Sequence, residues 1–175
     1  MSERIPLPMP FGWFRMTESK DLATGEVKTV QYLGREFVVF RAEDGKACVI
    51  DPYCPHLGAH LGYGGTVEGN AIRCPFHHWK FDCSGQCVEV PYAKRIPARA
   101  QIKSYPTCEK NGIVFLWYHP NGDAPKWEVP QVPDWCAEGW MAPIYHTARV
   151  RSHPQEMAEN VVDSAHFKFV HGTPD

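Results

Sequence analysis

The chain has 175 residues, of which 43% are hydrophobic and 22% charged, with a formal net charge of −2. That is enough for one ordinary domain and a little more. With no evident Lys/Arg cluster there is no electrostatic footprint for nucleic acid, and no apolar run is fit to span a bilayer. Residues 1–10 contain three prolines and no apolar core of the kind a secretory signal needs, so they read as a tail and the default compartment is cytoplasmic.

Phe11 to Met16 is aromatic-rich and β-prone, and Thr17 to Leu22 is expected to form a short helical turn before Gly25. Val27 to Tyr32, Glu36 to Arg41 and Ala47 to Ile50 read as antiparallel strands between the turn signals Leu33-Gly34 and Glu43-Asp44-Gly45. A Gly-rich stretch from Gly58 to Gly69 leads to a short strand at Ala71 to Arg73. A hairpin is expected over Phe81-Asp82, Ser84-Gly85 and Cys87 to Val90, and a strand from Ile113 to Tyr118 after Asn111-Gly112. The Pro-rich run from His119 to Asp134 marks a connection, so one domain is expected over 11–135 and the beginning of another over 136–175. In the second, Gly139 to Val150 reads as a strand and Glu156 to Phe169 as helical.

Two stretches carry chemistry. The first reads Cys54-Pro55-His56-Leu57-Gly58-Ala59-His60 and, with seventeen residues between His56 and Cys74, Cys74-Pro75-Phe76-His77-His78-Trp79. Each half offers one thiolate and one imidazole. A zinc site usually draws its thiolates from one close pair and its imidazoles from another, whereas a Rieske [2Fe–2S] cluster needs two sulfurs on one iron and two ring nitrogens on the other. His78 is the nearest rival of His77. His60, Cys83 and Cys87 read as ordinary loop and strand residues nearby. The cysteine count of seven is odd, no disulfide spacing is evident, and Cys48, Cys108 and Cys136 are expected to be buried and reduced.

The two-loop pattern resembles the cluster-binding signature of Rieske proteins, and that resemblance implies Cys54, His56, Cys74 and His77 as ligands of a [2Fe–2S] cluster. Ala59 and Phe76 stand where the respiratory-chain type carries a disulfide clamp. Trp79 and Phe81 stand where that type has hydroxyl donors to sulfur. Fewer donors imply a low potential, about −150 mV. No nucleotide-binding glycine motif is present, so electrons are expected from a separate reductase or ferredoxin.

The second stretch is Asn160-x-x-Asp163-x-x-His166-x-x-x-x-His171. At about 100° per residue the two imidazoles converge only if a helix bends or ends between them, which predicts an irregularity near Phe169. This stretch resembles the start of the mononuclear iron site of Rieske non-haem iron oxygenases. The resemblance implies His166 and His171 as ligands of an Fe(II), with Asp163 as the acid that bridges toward a neighbouring subunit's cluster. The family's third ligand, a carboxylate, lies far downstream, and nothing promotes Asp175 to that role, so the chain reads as an N-terminal fragment.

The fold implied is mainly β: an antiparallel Rieske [2Fe–2S] domain followed by the start of an α+β, helix-grip catalytic domain. Cys54-Pro-His-Leu-Gly-Ala-His-Leu-Gly and Val90-Pro91-Tyr92-Ala93 resemble the branch containing 3-ketosteroid 9α-hydroxylase and cholesterol 7-desaturase. The implied activity is O₂-dependent hydroxylation or desaturation of an apolar, steroid-like substrate by a homotrimer. A Rieske ferredoxin-type carrier is the alternative, needing only residues 11–135, and a zinc-binding module is a third reading.

Overall fold

The computed structural model describes residues 7–173 apart from 142, 147 and 149. Phe11–Trp135 forms one compact unit, and the stretch from Cys136 onward groups with the residues before Phe11 in another. Most of the expected tail at 1–10 lies outside the described residues, as does Asp175.

The first unit is built of three antiparallel sheets. Strands β1 (Gly12–Glu18), β10 (Thr107–Lys110) and β11 (Ile113–Tyr118) form one, in the order β1-β11-β10. Strands β2 (Val27–Tyr32), β3 (Arg35–Arg41), β4 (Ala47–Ile50) and β9 (Ser104–Tyr105) form the second, in that order. Strands β5 (Thr66–Glu68), β6 (Ala71–Arg73), β7 (Lys80–Asp82) and β8 (Cys87–Glu89) form the third. A 3₁₀ turn at Ser19–Asp21 follows β1 where a helical turn is expected.

β3 explains how the layers stack. Phe37, Val38, Val39 and Phe40 are all fully buried, so the strand is apolar on both faces and reads as a continuous run with no alternation. Val38 and Phe40 join Ile50, Leu61, Ile72, Trp79 and Phe81 in one core, which reaches the third sheet. Phe37 and Val39 join Met16, Val49, Tyr105, Val114 and Leu116 in another, which reaches the first. Each such side chain stabilises the fold by about 2 kcal/mol, an upper bound set by an extended unfolded chain. Leu33-Gly34 and Asn111-Gly112 have positive φ at both positions, the conformation that lets a two-residue turn follow the strand twist.

The second unit differs from expectation in two places. Among its described residues there is no strand between Gly139 and Val150, and Met141 and Ile144 are 85% and 77% exposed. A single extended segment with no neighbouring strand has nowhere to place its backbone hydrogen bonds. The expected helix over 156–169 is two helices, α1 (Pro154–Val162) and α2 (Ser164–Phe169). The break falls at Asp163, whose carboxylate leaves the helical pattern to accept the Ala165 N–H at 3.2 Å. Α2 also ends at Phe169, where an irregularity is expected.

Candidate metal centres

The first candidate centre hangs from the ends of β4 and β6. Its two loops share one backbone pattern. The Cys54 N–H donates to the Ala59 carbonyl and the Gly58 N–H to the Cys54 carbonyl, both at 2.9 Å. Likewise, the Cys74 N–H donates to the Trp79 carbonyl at 2.8 Å, and the His78 N–H to the Cys74 carbonyl at 3.1 Å. In both loops the fourth residue after Cys must turn left-handed, and Gly58 (φ 74°) and His78 (φ 61°) do so. His78 is therefore the counterpart of Gly58, and its side chain is exposed. His77, by contrast, packs edge-on against His56, with ring centroids 4.5 Å apart. The structure brings His56 and His77 together and leaves His78 out.

The two sulfurs form a pair of their own. Cys54 and Cys74 are buried, and their thiols are within hydrogen-bonding reach of each other. Burial pushes the Cys54 thiol up to about 11, with the neighbouring Cys74 and Cys87 sulfurs adding to the rise. The His56 backbone N–H, donating to the Cys54 sulfur, opposes it. A bare Cys54 thiolate is thus costly here, and a bound cation reverses that preference. The His56 Nδ1 is buried without a hydrogen-bond partner, an orphaned lone pair of the kind a metal satisfies. Two buried sulfurs, two paired imidazoles and an unspent ring nitrogen fit a cluster with sulfur ligands on one iron and nitrogen ligands on the other.

The surroundings hold this cradle still. Trp79 stacks on His56 at 4.6 Å and 7°, and its Nε1 donates to the Tyr92 hydroxyl at 2.7 Å. Arg73 and Lys80 both pair with Glu68, at 2.7 and 3.0 Å, and Lys80 also pairs with Glu89 at 2.8 Å, lacing β5 to β8. Before the first loop, Asp51 accepts from the Tyr105 hydroxyl at 2.6 Å, and that hydroxyl accepts from Arg35 at 3.0 Å. His60 accepts the Gly62 N–H at Nδ1 and turns Nε2 toward Glu36 at 3.5 Å.

Two cysteine expectations are corrected. Cys48 and Cys83 form a disulfide, with Cα atoms 5.2 Å apart. The pairing joins β4 to the β7–β8 turn, and because their partnership arises from two sheets stacking, no local spacing announces it. Of the other two cysteines expected to be buried, Cys136 is exposed and Cys108 only half-buried. Trp79 and Tyr92 escaped sequence reasoning as supports of His56. The one available signal is a Trp directly after the His pair.

The second candidate centre lies on α2 and the turn after it. The rings of His166 and His171 are 5.3 Å apart, because α2 ends between them. The His166 Nδ1 contacts the Asp163 backbone carbonyl, with the Asp163 carboxylate at 3.9 Å. A carbonyl only accepts, so Nδ1 carries the proton and Nε2 keeps a free lone pair. Two imidazoles, one of them oriented by Asp163, fit part of a mononuclear iron site, and the described residues supply no third donor beside them.

The chain's similarities run along the same two stretches. The Rieske [2Fe-2S] domain profile matches residues 12–106, and that of the 3-ketosteroid 9alpha-hydroxylase C-terminal domain matches residues 116–175, beginning inside β11. Cholesterol 7-desaturase nvd of Xenopus laevis is 42% identical over 175 residues, covering 98% of this chain and 38% of that protein. A probable 3-ketosteroid-9-alpha-monooxygenase oxygenase component of Rhodococcus rhodochrous is 42% identical over 163 residues, covering 91% and 41%. Among solved structures, dicamba monooxygenase with non-heme iron and dicamba superposes with a TM-score of 0.59 at 26% identity, over 65% of this chain and 35% of that one. The chain thus spans about two fifths of the length of these curated relatives. Among the described residues no helix is long and apolar enough to cross a membrane.

Proposed function

The chain belongs to the Rieske [2Fe–2S] family, and from that premise we propose that the whole protein is the oxygenase component of a Rieske non-haem iron monooxygenase or desaturase. Cys54 and Cys74 hold one iron of the cluster, and His56 and His77 hold the other. His166 and His171 hold a mononuclear Fe(II) whose third ligand lies outside this chain. When bound, the two groups supply one-electron transfer and the activation of O₂ at a C–H bond. The observation that carries the reading is the pairing of His56 with His77 on two loops whose cysteines are buried, in one chain with a second imidazole pair.

The protein's own side chains have defined tasks. The Cys54 and Cys74 sulfurs are buried away from water, while the His56 and His77 imidazoles are half-buried, so a cluster held by these four residues would exchange electrons through its histidine side. Trp79 fixes the His56 ring plane, and Asp163 fixes the tautomer of His166. With the Trp79 indole spent on Tyr92 and Phe81 apolar, side-chain donors to sulfur are few, which supports a potential near the low end of the Rieske range, about −150 mV.

A reductase or ferredoxin supplies the electrons, and the substrate is a steroid or sterol, as the names of the relatives suggest. The assembly is a homotrimer in which Asp163 bridges to the neighbouring subunit's cluster, and the compartment is the cytoplasm. The domain division is 11–135 for the cluster domain and 136–175 for the beginning of the catalytic domain. The test is chemical analysis of the full-length protein, then turnover of a 3-ketosteroid and of cholesterol. The oxygenase reading expects three irons and two acid-labile sulfides per subunit. Two irons with two sulfides and no product would favour the ferredoxin-type carrier.

A further inference from the structure

Resting on the electron-accepting role just proposed, we infer that the loop over residues 91–103 is the docking surface for the electron donor, and that the donor is an acidic one-electron carrier protein. Lys94, Arg95, Arg99 and Lys103 fall in this stretch, and no Asp or Glu lies between Glu89 and Glu109, in a chain whose net charge is −2. The expectation of no basic cluster fails here, since four cations spread over ten residues, with Pro97 and apolar residues between them, do not read as a run. Residues 91–99 are all exposed. Lys103 lies over the Tyr105 ring at 5.0 Å. Lys94, Arg95 and Arg99 have no ion pair among the described residues, whereas Arg73 and Lys80 are held by Glu68 and Arg41 by Glu109. Positive charge is neutralised across the cluster sheet and left open on this loop.

The loop is presented on firm feet. Val90, Ala100 and Ile102 are buried at its two ends. The Cys87 N–H donates to Ala100 at 3.0 Å, the Ile102 N–H to Gly85 at 2.8 Å, and the Asp51 N–H to Lys103 at 2.8 Å. The same loop exposes two apolar side chains, Tyr92 (62% exposed) just before the cations and Ile96 (44%) among them, which a protein partner can cover. Tyr92 is also the outer end of the Trp79 contact that stacks on His56. One aromatic residue therefore separates the loop from a candidate cluster ligand. Nucleic acid and anionic membranes are also negative, but only a redox partner gives that aromatic link a use. On docking, one electron leaves the reduced donor and arrives at the cluster, with no proton or bond changing hands.

The test compares the cluster-loaded parent chain with Lys94→Gln/Arg95→Gln/Arg99→Gln, using an acidic plant-type [2Fe–2S] ferredoxin as the probe. Surface plasmon resonance gives the dissociation constant and stopped-flow absorbance gives the rate of cluster reduction. Photogenerated neutral lumiflavin semiquinone is the uncharged control reductant. At low ionic strength the triple variant should bind ferredoxin about tenfold more weakly and be reduced by it about tenfold more slowly. The difference should vanish at high salt, and the lumiflavin rate should not change. An unchanged ferredoxin constant, or equal slowing with lumiflavin, would overturn the inference. So would a variant that loses binding to phosphatidylserine vesicles or single-stranded DNA while keeping its ferredoxin affinity. A parent chain without labile sulfide sinks the functional reading first, before any donor is added. A loaded parent indifferent to the three substitutions sinks only the docking surface.

Discussion

The loops at 54–59 and 74–79 hang from sheets whose central side chains are fully buried, whereas His166 lies on α2 and His171 in the turn after it, in a stretch of two short helices with no buried residue. Both regions bring two imidazoles within about one ring width, at 4.5 Å in the first and 5.3 Å in the second. What differs is who holds them. In the cluster unit the backbone pattern of each loop, the Trp79 stack and the laced β5–β8 sheet fix the rings independently of any ligand. In the second unit the order rests on helices of nine and six residues, short of the length at which helices stand alone in water. The comparison teaches that similar donor sets can differ widely in preorganisation, and that metal affinity follows the support as well as the donors.

The largest effect expected is at the sulfurs. Cys54→Ser or Cys74→Ser should abolish cluster loading, read as loss of visible absorbance and of labile sulfide, while far-UV circular dichroism still reports the sheets, because the core does not depend on the metal. His166→Ala should leave cluster loading untouched. Collapse of the cluster in that variant would break the independence of the two centres.

The disulfide sharpens the same contrast. Residues 48–83 enclose all four candidate cluster ligands. In the loop-closure account, the pair Cys48→Ala/Cys83→Ala should lower stability by about 3–4 kcal/mol, measured by urea unfolding of the chain. An unchanged midpoint would remove the cross-link from the account of why this cradle is stiff.

A smaller loss is expected at the turn between β7 and β8. Gly85 has φ 81°, and a Cβ there would stand 1.9 Å from the Ile102 carbonyl oxygen. Gly85→Ala should destabilise the chain by more than about 1 kcal/mol in the same unfolding assay. An equal loss for Gly139→Ala, which has open space around its Cβ, would show that backbone conformation alone decides.

The smallest stability change, with the largest consequence for turnover, is expected at Asp163. As the cap of α2 its loss to Ala should cost about 1 kcal/mol, whereas Asn keeps the cap. In the full-length protein both variants should keep the cluster and suppress substrate oxidation. If Asp163→Asn turned over at the parent rate, Asp163 would be a helix cap and nothing more.

Much of this was legible in the chain because the signals are local. Thiol and imidazole spacing, the Leu33-Gly34 and Asn111-Gly112 turns and the strands at 27–32, 47–50, 71–73 and 113–118 all follow from neighbours in sequence. What was missed depends on layers meeting. β5, β9 and β10 are strands of two to four residues whose pairing comes from the sheets they complete. Cys48 meets Cys83 only after two sheets stack, and Trp79 reaches His56 only after two loops converge. The strand expected over 139–150 fails for the same reason: periodicity suggests an element, but a partner strand decides whether it forms.

The central claim is mixed ligation, sulfur on one iron and histidine nitrogen on the other. It is tested most directly on chain labelled with ¹⁵N-histidine, loaded anaerobically, reduced by one electron and examined by electron–nuclear double resonance alongside a labile-sulfide assay. The account predicts two sulfides per chain and couplings from two histidine nitrogens, one of which disappears in His56→Ala. A reducible cluster with no histidine coupling, its irons bound by Cys87 or another thiol, would contradict it.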